Sequence, residues 1–303
     1  MLPFARITII GLGLIGSSVA RAVRKAMPTA RITAYDADRQ VRETVRALDL
    51  ADDVADTAGA SVIDADFVIL CVPVGAMGAV AAEFADDLPE DAIVSDVGSC
   101  KGAVLTALTE ALSGATIIPA HPVAGTERSG PEAGFATLFQ KRWCIVTPPD
   151  GADALAVERV AEFWRRLGAD VELMAPDHHD RVLAVTSHLP HLIAYTIVGT
   201  ASDLEEVTQS EVIKYSAGGF RDFTRIAASD PTMWRDVFLT NREAVLEMLQ
   251  RFSEDLSQLQ RAIRWGKGDE LFDLFSRTRA IRRSIIDQGQ DDAREDFGRS
   301  HAE

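Results

Sequence analysis

Apolar positions in the first half of the chain fall in short unbroken runs separated by stretches of helical periodicity. Arg6-Ile-Thr-Ile-Ile10, Arg31-Ile-Thr-Ala-Tyr35, Asp66-Phe-Val-Ile-Leu-Cys-Val72, Ala92-Ile-Val-Ser-Asp96, Thr116-Ile-Ile-Pro119, Trp143-Cys-Ile-Val-Thr147 and Asp170-Val-Glu-Leu-Met174 each read as a strand. Between them, Lys101 to Leu112 and Asp153 to Leu167 read as helices, the second closed by Gly168 in the C-cap role. Strands that are apolar on both faces fit a sheet buried between crossover helices, whereas a half-exposed antiparallel sheet would alternate. The first half therefore predicts an α/β fold, a Rossmann-type doubly wound parallel sheet. From Pro176 onward long helical periodicities take over, at Asp177 to Ser202, Asn241 to about Trp265 and Asp269 to Ile286. Two domains are expected, 1–175 and an all-helical 176–303, with a polar tail from 287 expected to be mobile.

Composition narrows the class. An apolar fraction of 47% and a charged fraction of 25% describe an ordinary globular chain, long enough at 303 residues for a core in each domain. A formal net charge of −15 argues against nucleic acid or an anionic membrane as partner. It also means that an anionic substrate would need a local cluster of cations. Cys71, Cys100 and Cys144 are odd in number and lack metal-ligand spacing, as reduced thiols in a cytoplasm would. The N-terminus has no apolar core of a signal peptide and no apolar run approaches membrane-spanning length, so a cytoplasmic location is expected.

The first strand runs into Gly11-Leu-Gly13-Leu14-Ile15-Gly16 and then a helix. Gly11 permits a tight turn, Gly13 lets backbone approach a pyrophosphate, and Gly16 lets the helix, opened by Leu14 and Ile15, pack against the strand. The second strand ends in Asp36, twenty residues after Gly16, where a carboxylate would bond a ribose 2′-hydroxyl. The alternative is a glycine-rich turn in an ordinary βα unit. Asp36 would repel a 2′-phosphate and is followed by Ala37 where an NADP site often places arginine, although Arg39 is close; NAD is expected over NADP.

In such sheets ligands lie beyond the carboxyl ends of the strands. Val72-Pro73 there is a strand stop or one wall of a nicotinamide pocket. In Asp96-Val-Gly98-Ser99-Cys-Lys101, Ser99 is placed to N-cap the next helix, a role that can coexist with facing cofactor and substrate, and Lys101 reads as a solvated charge. His121, just past the strand that begins at Thr116, could take a proton from a carbinol, or be a hydrogen-bonded structural group. Asp177-His-His-Asp180 and Ser187-His188-Leu-Pro190-His191 follow in the helical half. His188 and His191 share a helix face, and Pro190 is expected to kink that helix. With no H-E-x-x-H pattern and only Asp180, Glu205 and Glu206 as nearby acids, no metal is expected. Arg225, in Gly218-Gly-Phe-Arg-Asp222-Phe-Thr-Arg225, could grip a carboxylate or pair with Asp222, and Trp234 follows closely.

Gly11-Leu-Gly-Leu-Ile-Gly16, Asp96-Val-Gly-Ser-Cys-Lys101, His121-Pro-Val-Ala-Gly-Thr-Glu-Arg-Ser-Gly130, Ser187-His-Leu-Pro-His191 and Gly219-Phe-Arg-Asp-Phe-Thr-Arg225 together resemble the prephenate/arogenate (cyclohexadienyl) dehydrogenase family of tyrosine biosynthesis. The resemblance spans residues 6 to about 245, and its two histidine motifs are far more specific than the glycine fingerprint. It implies an NAD-binding Rossmann domain, a helical domain through which two subunits form a homodimer, and an active site in the cleft. The implied reaction is oxidative decarboxylation of prephenate or arogenate, with aromatisation as driving force. His121 would be the base, Ser99 its orienting partner, Arg225 the carboxylate grip, His191 and Trp234 the lining, and Thr126 a residue at the mouth. A β-hydroxyacid-type dehydrogenase and a non-catalytic NAD-binding regulator are the rival readings.

Overall fold

The structure, a computed structural model, describes residues 2–126, 128–203 and 218–287. The polar tail from residue 288 and the acids Glu205 and Glu206 lie outside them. By compactness the chain falls into two units, Met1–Leu246 and Glu247–Glu303.

In the first unit β1 (Arg6–Ile10), α1 (Leu14–Ala26), β2 (Arg31–Tyr35), α2 (Arg39–Ala47), β3 (Asp53–Val54), α3 (Ala58–Val62), β4 (Phe67–Leu70), α4 (Met77–Ala82), β5 (Ile93–Asp96), α5 (Gly102–Ala111) and β6 (Thr116–Ile117) follow in order. The strands form a six-stranded sheet, β3-β2-β1-β4-β5-β6, parallel at every pairing. Alternate residues of each strand feed two cores. Ile7, Ile9, Phe67, Ile69 and Ile93 pack with Val19 and Val23 of α1 and with Phe163 and Trp164. Ile10, Val68, Leu70 and Val94 pack on the opposite face with Val62, Met77, Val104 and Leu108. Each such side chain contributes about 1.5–3 kcal/mol on burial, so a continuous apolar run on both faces stabilises a central strand. Among the buried strand residues of this sheet Thr8, Ser95 and Asp96 are polar, and the Thr8 hydroxyl donates to the Ser61 carbonyl at 2.6 Å.

The expectation of a single parallel sheet holds only to β6. β7 (Ala120–Pro122), β8 (Trp143–Val146) and β9 (Asp170–Leu173) form a second sheet, with β7 antiparallel to β8 and β8 parallel to β9. His121 therefore lies within a strand, opposite Ile145, rather than just past one. The pairing that decides this joins residues more than twenty apart, which local periodicity does not register. Between β8 and β9, α6 (Ala154–Arg166) starts at Asp153, whose carboxylate accepts from Leu155 and Ala156 N–H, and ends before Gly168 at φ +93°.

From Pro176 on every described element is helical: α7 (Pro176–Leu183) continues through a π turn at Ala184–His188 and proceeds as α8 (Leu189–Ser202). Pro190 has no N–H to give the helix ladder, and the turn before it is where the ladder slips. Leu189 N–H reaches five residues back to Ala184. The expected kink is thus a π turn. By length and composition the run Pro176–Ser202 could cross a membrane, contrary to the reading that no run approaches that length. Yet it carries Asp177, His179, Asp180 and His188, and His179 and His188 are fully buried. Further on come α9 (Gly218–Thr224), α10 (Pro231–Thr240), α11 (Arg242–Arg264) and α12 (Gly268–Asp287), the last lying in the second unit.

Candidate active site

The nucleotide end is built by three glycines with different duties. Gly11 has φ +92°, and a Cβ there would lie 2.8 Å from the Cys71 carbonyl carbon and 2.9 Å from Val72 Cγ1. At Gly16 a Cβ would stand 1.9 Å from the Gly11 carbonyl oxygen. Gly13 has nothing within 4 Å of its Cβ position, so its backbone faces open space at the start of α1. Those features fit a pyrophosphate cradle, with helix N–H groups directed at the anion. Asp36 is anchored by Leu12 N–H at 2.8 Å on one oxygen and Asp38 N–H at 2.9 Å on the other. Arg42 donates to the Asp36 and Ala37 carbonyls and lies over the Tyr35 ring, while Arg39 pairs outward with Glu43. Val72 and Pro73 lead into a 3-10 turn, Val74–Ala76, that α10 approaches closely: a Cβ at Gly75 would sit 2.9 Å from Asp236 Oδ2.

Next to this end lies a buried polar cluster. Lys101 is fully buried, its ammonium 2.5 Å from Asp96 Oδ2 and 2.7 Å from the Ala120 carbonyl. It is not the solvated charge that its sequence context suggested, because the partner carboxylate at the end of β5 makes burial tolerable. Burial pushes the Asp96 carboxyl upward, and Lys101 and the Gly98 N–H oppose it. Nor does Ser99 N-cap α5. Lys101 occupies that position, and the free N–H groups of Lys101 and Gly102 are taken instead by Asp180 of α7, at 2.8 and 2.9 Å. Ser99 itself is half-buried.

His121 is 8% exposed. Its Nδ1 lies 2.8 Å from His179 Nε2, and His179 Nδ1 lies 2.8 Å from Asp180 Oδ1. Burial, then the neighbouring His179, Lys101 and His188, hold the His121 imidazole well below its ordinary basicity. Burial likewise lowers His179. Burial would raise Asp180, but the hydrogen bonds from His179, Gly102 and Lys101 outweigh it and hold the carboxyl below the usual range. His188 is fully buried, accepts at Nδ1 from Asn241 Nδ2 at 3.1 Å, and is pushed down to about 4, chiefly by burial.

A second group adjoins the first through His188 and Trp234, whose rings are 6.0 Å apart. Trp234 stacks on His191 at 3.7 Å with 24° between planes. His191 Nδ1 donates to the Ser187 carbonyl at 2.8 Å, and burial followed by the charge of Arg225 lowers its basicity. The charge of Arg225 thus reaches His191, from an exposed position just after α9. Thr126 is exposed, its hydroxyl accepting from Arg128 N–H. Sequence reasoning quoted His179 and Asp180 without assigning them work, and it missed Asn241. Adjacent His and Asp just inside a helix start were the available signal.

A dinucleotide fold whose strand ends lead to a buried neutral histidine and, beside it, a stacked histidine with an arginine defines a dehydrogenase-type site. The comparisons give the family. The prephenate dehydrogenase nucleotide-binding domain model matches residues 19–173, beyond the glycine turn, and the prephenate dehydrogenase dimerization domain model matches 175–277. A cyclohexadienyl dehydrogenase of Zymomonas mobilis is 46% identical over 285 residues, 94% of this chain and 97% of the relative. A prephenate dehydrogenase of Bacillus subtilis is 32% identical, over 91% of this chain and 75% of its own length. The crystal structure of prephenate dehydrogenase from Aquifex aeolicus in complex with hydroxyphenyl propionate and NAD+ superimposes with TM-score 0.86 at 33% identity, covering 94% of this chain and 98% of that one. The chain belongs to the prephenate dehydrogenase family and is a dehydrogenase.

Proposed function

We propose that this dehydrogenase oxidatively decarboxylates prephenate, arogenate or both with NAD, as a homodimer, residues 1–175 holding the nucleotide and 176–303 the substrate and dimer contacts. The observation that carries the reading is His121, buried and uncharged at neutral pH, with Nδ1 engaged and Nε2 left for an alcohol proton. Relatives named for cyclohexadienyl and prephenate substrates, and one solved with NAD+, support the substrate class and cofactor.

Gly11, Gly13, Leu14, Ile15 and Gly16 hold the pyrophosphate, Asp36 the ribose, and Val72 and Pro73 wall the nicotinamide. Asp36 is pinned by two backbone N–H groups and cannot swing aside for a 2′-phosphate, which favours NAD over NADP. NAD, when bound, takes up the hydrogen and electron pair of the ring C4. His121 Nε2 takes the C4 hydroxyl proton as the C–O π bond forms. The C1–carboxylate bond then breaks, CO2 leaves, its electron pair completes the aromatic ring, and the proton returns to the phenolate oxygen. Ser99 orients the substrate beside the imidazole. Arg225 grips a carboxylate, His191 and Trp234 line the pocket, and Thr126 stands at its mouth. The exposed apolar Val185, Ile197 and Val198 suit the dimer contact.

The test is formation of reduced cofactor with prephenate and arogenate, each with NAD+ and NADP+. His121→Asn is expected to lower kcat by about a hundredfold or more at little change in KM, and Arg225→Ala to raise KM severely. Silence with both substrates from folded, NAD-binding protein would overturn the reading; a His121→Asn variant with near-normal kcat would remove the base.

A further inference from the structure

We infer that Asp180, His179 and His121 form a directed proton relay, which fixes the bare nitrogen of His121 on the substrate side and shares the charge that the base acquires. The inference rests on the reading of His121 as base.

Directionality follows from the far end. An ionised carboxylate can only accept, and Asp180 already accepts from the N–H groups of Lys101 and Gly102 at the N-terminus of α5, where negative charge is favoured. Its third contact, 2.8 Å to His179 Nδ1, therefore requires the hydrogen to reside on His179. In the neutral ring Nε2 of His179 is then bare. The 2.8 Å contact between that atom and His121 Nδ1 in turn requires His121 to donate. One tautomer of His121 is left, with hydrogen on Nδ1 and a lone pair on Nε2, the form a base needs.

The same chain answers a local difficulty. The groups facing His121 include a buried ammonium, Lys101, held by Asp96, and the uncharged His188, with the Cys144 thiol of β8 also close to Lys101. Lys101 disfavours an imidazolium at His121. When Nε2 receives the C4 hydroxyl proton, the Nδ1 proton crosses to His179 Nε2, so the positive charge comes to rest between His121 and the Asp180 carboxylate. Return of the proton to the phenolate reverses both transfers, leaving all three groups as they began. No further reactant is consumed. His179 and Asp180 are positioning residues.

The experiment compares His179→Leu, which has no acceptor, with His179→Gln, whose Oε1 can accept from His121 Nδ1 but cannot carry the proton. Both are assayed with prephenate and NAD+ across pH, beside His121→Asn. His179→Leu is expected to lose about a hundredfold in kcat with KM within about twofold, its acid limb moved to lower pH, and His179→Gln to recover about tenfold of that loss. Nitrogen-15 spectra of histidine-labelled wild-type protein with NAD+ bound should show His121 protonated at Nδ1 and bare at Nε2. Equal losses in both variants with an unmoved limb would overturn the relay, and so would a wild-type His121 bare at Nδ1, a result independent of whether His179→Leu folds. If His121→Asn retains turnover, the base reading itself falls; if it is inactive while His179→Leu turns over normally, only the relay does.

Discussion

The burial that keeps His121 uncharged also makes the fold acid-sensitive, and His188 shows by how much. Its imidazole is fully buried and sits at about 4 in the folded protein against 6.5 for a free side chain. Between those values the unfolded chain binds the proton and the folded one does not, so stability is complete above pH 6.5 and falls as pH drops toward 4. Over the whole window the loss is about 3 kcal/mol, and about 2 kcal/mol has gone by about pH 5. His121, His179 and His191 shift in the same direction and add to it. Asp180 does not contribute in this range, because its lowered value places its loss below the ordinary carboxylate range. Urea unfolding at fixed protein concentration, at pH 7.5 and pH 5, measures the difference. In His188→Asn the group that titrates is gone. That variant should be less stable at pH 7.5 but should lose about 2 kcal/mol less than the parent on acidification. An identical pH dependence in both proteins would refute the assignment of acid sensitivity to this buried ring.

Other consequences concern the buried ion pair and the glycines. Lys101→Met leaves Asp96 buried without its cation and should cost about 3–5 kcal/mol in urea unfolding, whereas adding Asp96→Asn should restore much of it; equal stability of single variant and parent would refute the pairing. Gly13→Ala meets no protein atom within 4 Å and should unfold like the parent while binding NAD+ about tenfold or more weakly in a fluorescence titration. Gly16→Ala drives a methyl to 1.9 Å from the Gly11 carbonyl oxygen and should destabilise the fold itself, so a stable Gly16→Ala protein would contradict the helix-packing role.

What the chain discloses by itself depends on how far apart the deciding residues lie. The glycine turn, Asp36 and the apolar strands are local patterns, as is the helical periodicity from Pro176 on, where every described element is a helix. Lys101 is different. As a residue type on a short helical turn it reads as solvated, and only the Asp96 oxygen and the Ala120 carbonyl, nineteen residues on, make its burial possible. His121 and His179 are 58 residues apart, and the second sheet depends on a β7–β8 pairing that no periodicity of either strand encodes. The π turn was half legible: Pro190 announced a disruption, but not whether the ladder would break, bend or slip, as it does where Leu189 N–H reaches Ala184.

The correction at Ser99 has a consequence that can be measured. In a chain read locally, Ser99 looks like the cap of α5, and losing a cap costs about 1 kcal/mol. In the fold, Asp180 reaches from α7 to take both exposed N–H groups, a charged acceptor at the positive end of the helix. Ser99 is thereby relieved of capping, and the proposed mechanism gives it the orienting role. Ser99→Ala should then unfold within about 0.5 kcal/mol of the parent in urea while its kcat falls. Asp180→Ala should lose about 1–3 kcal/mol, because two N–H groups near the protein interior are left without an acceptor. A Ser99→Ala protein destabilised by a full cap with kcat intact would reverse the assignment, returning Ser99 to a structural role and removing it from the chemistry.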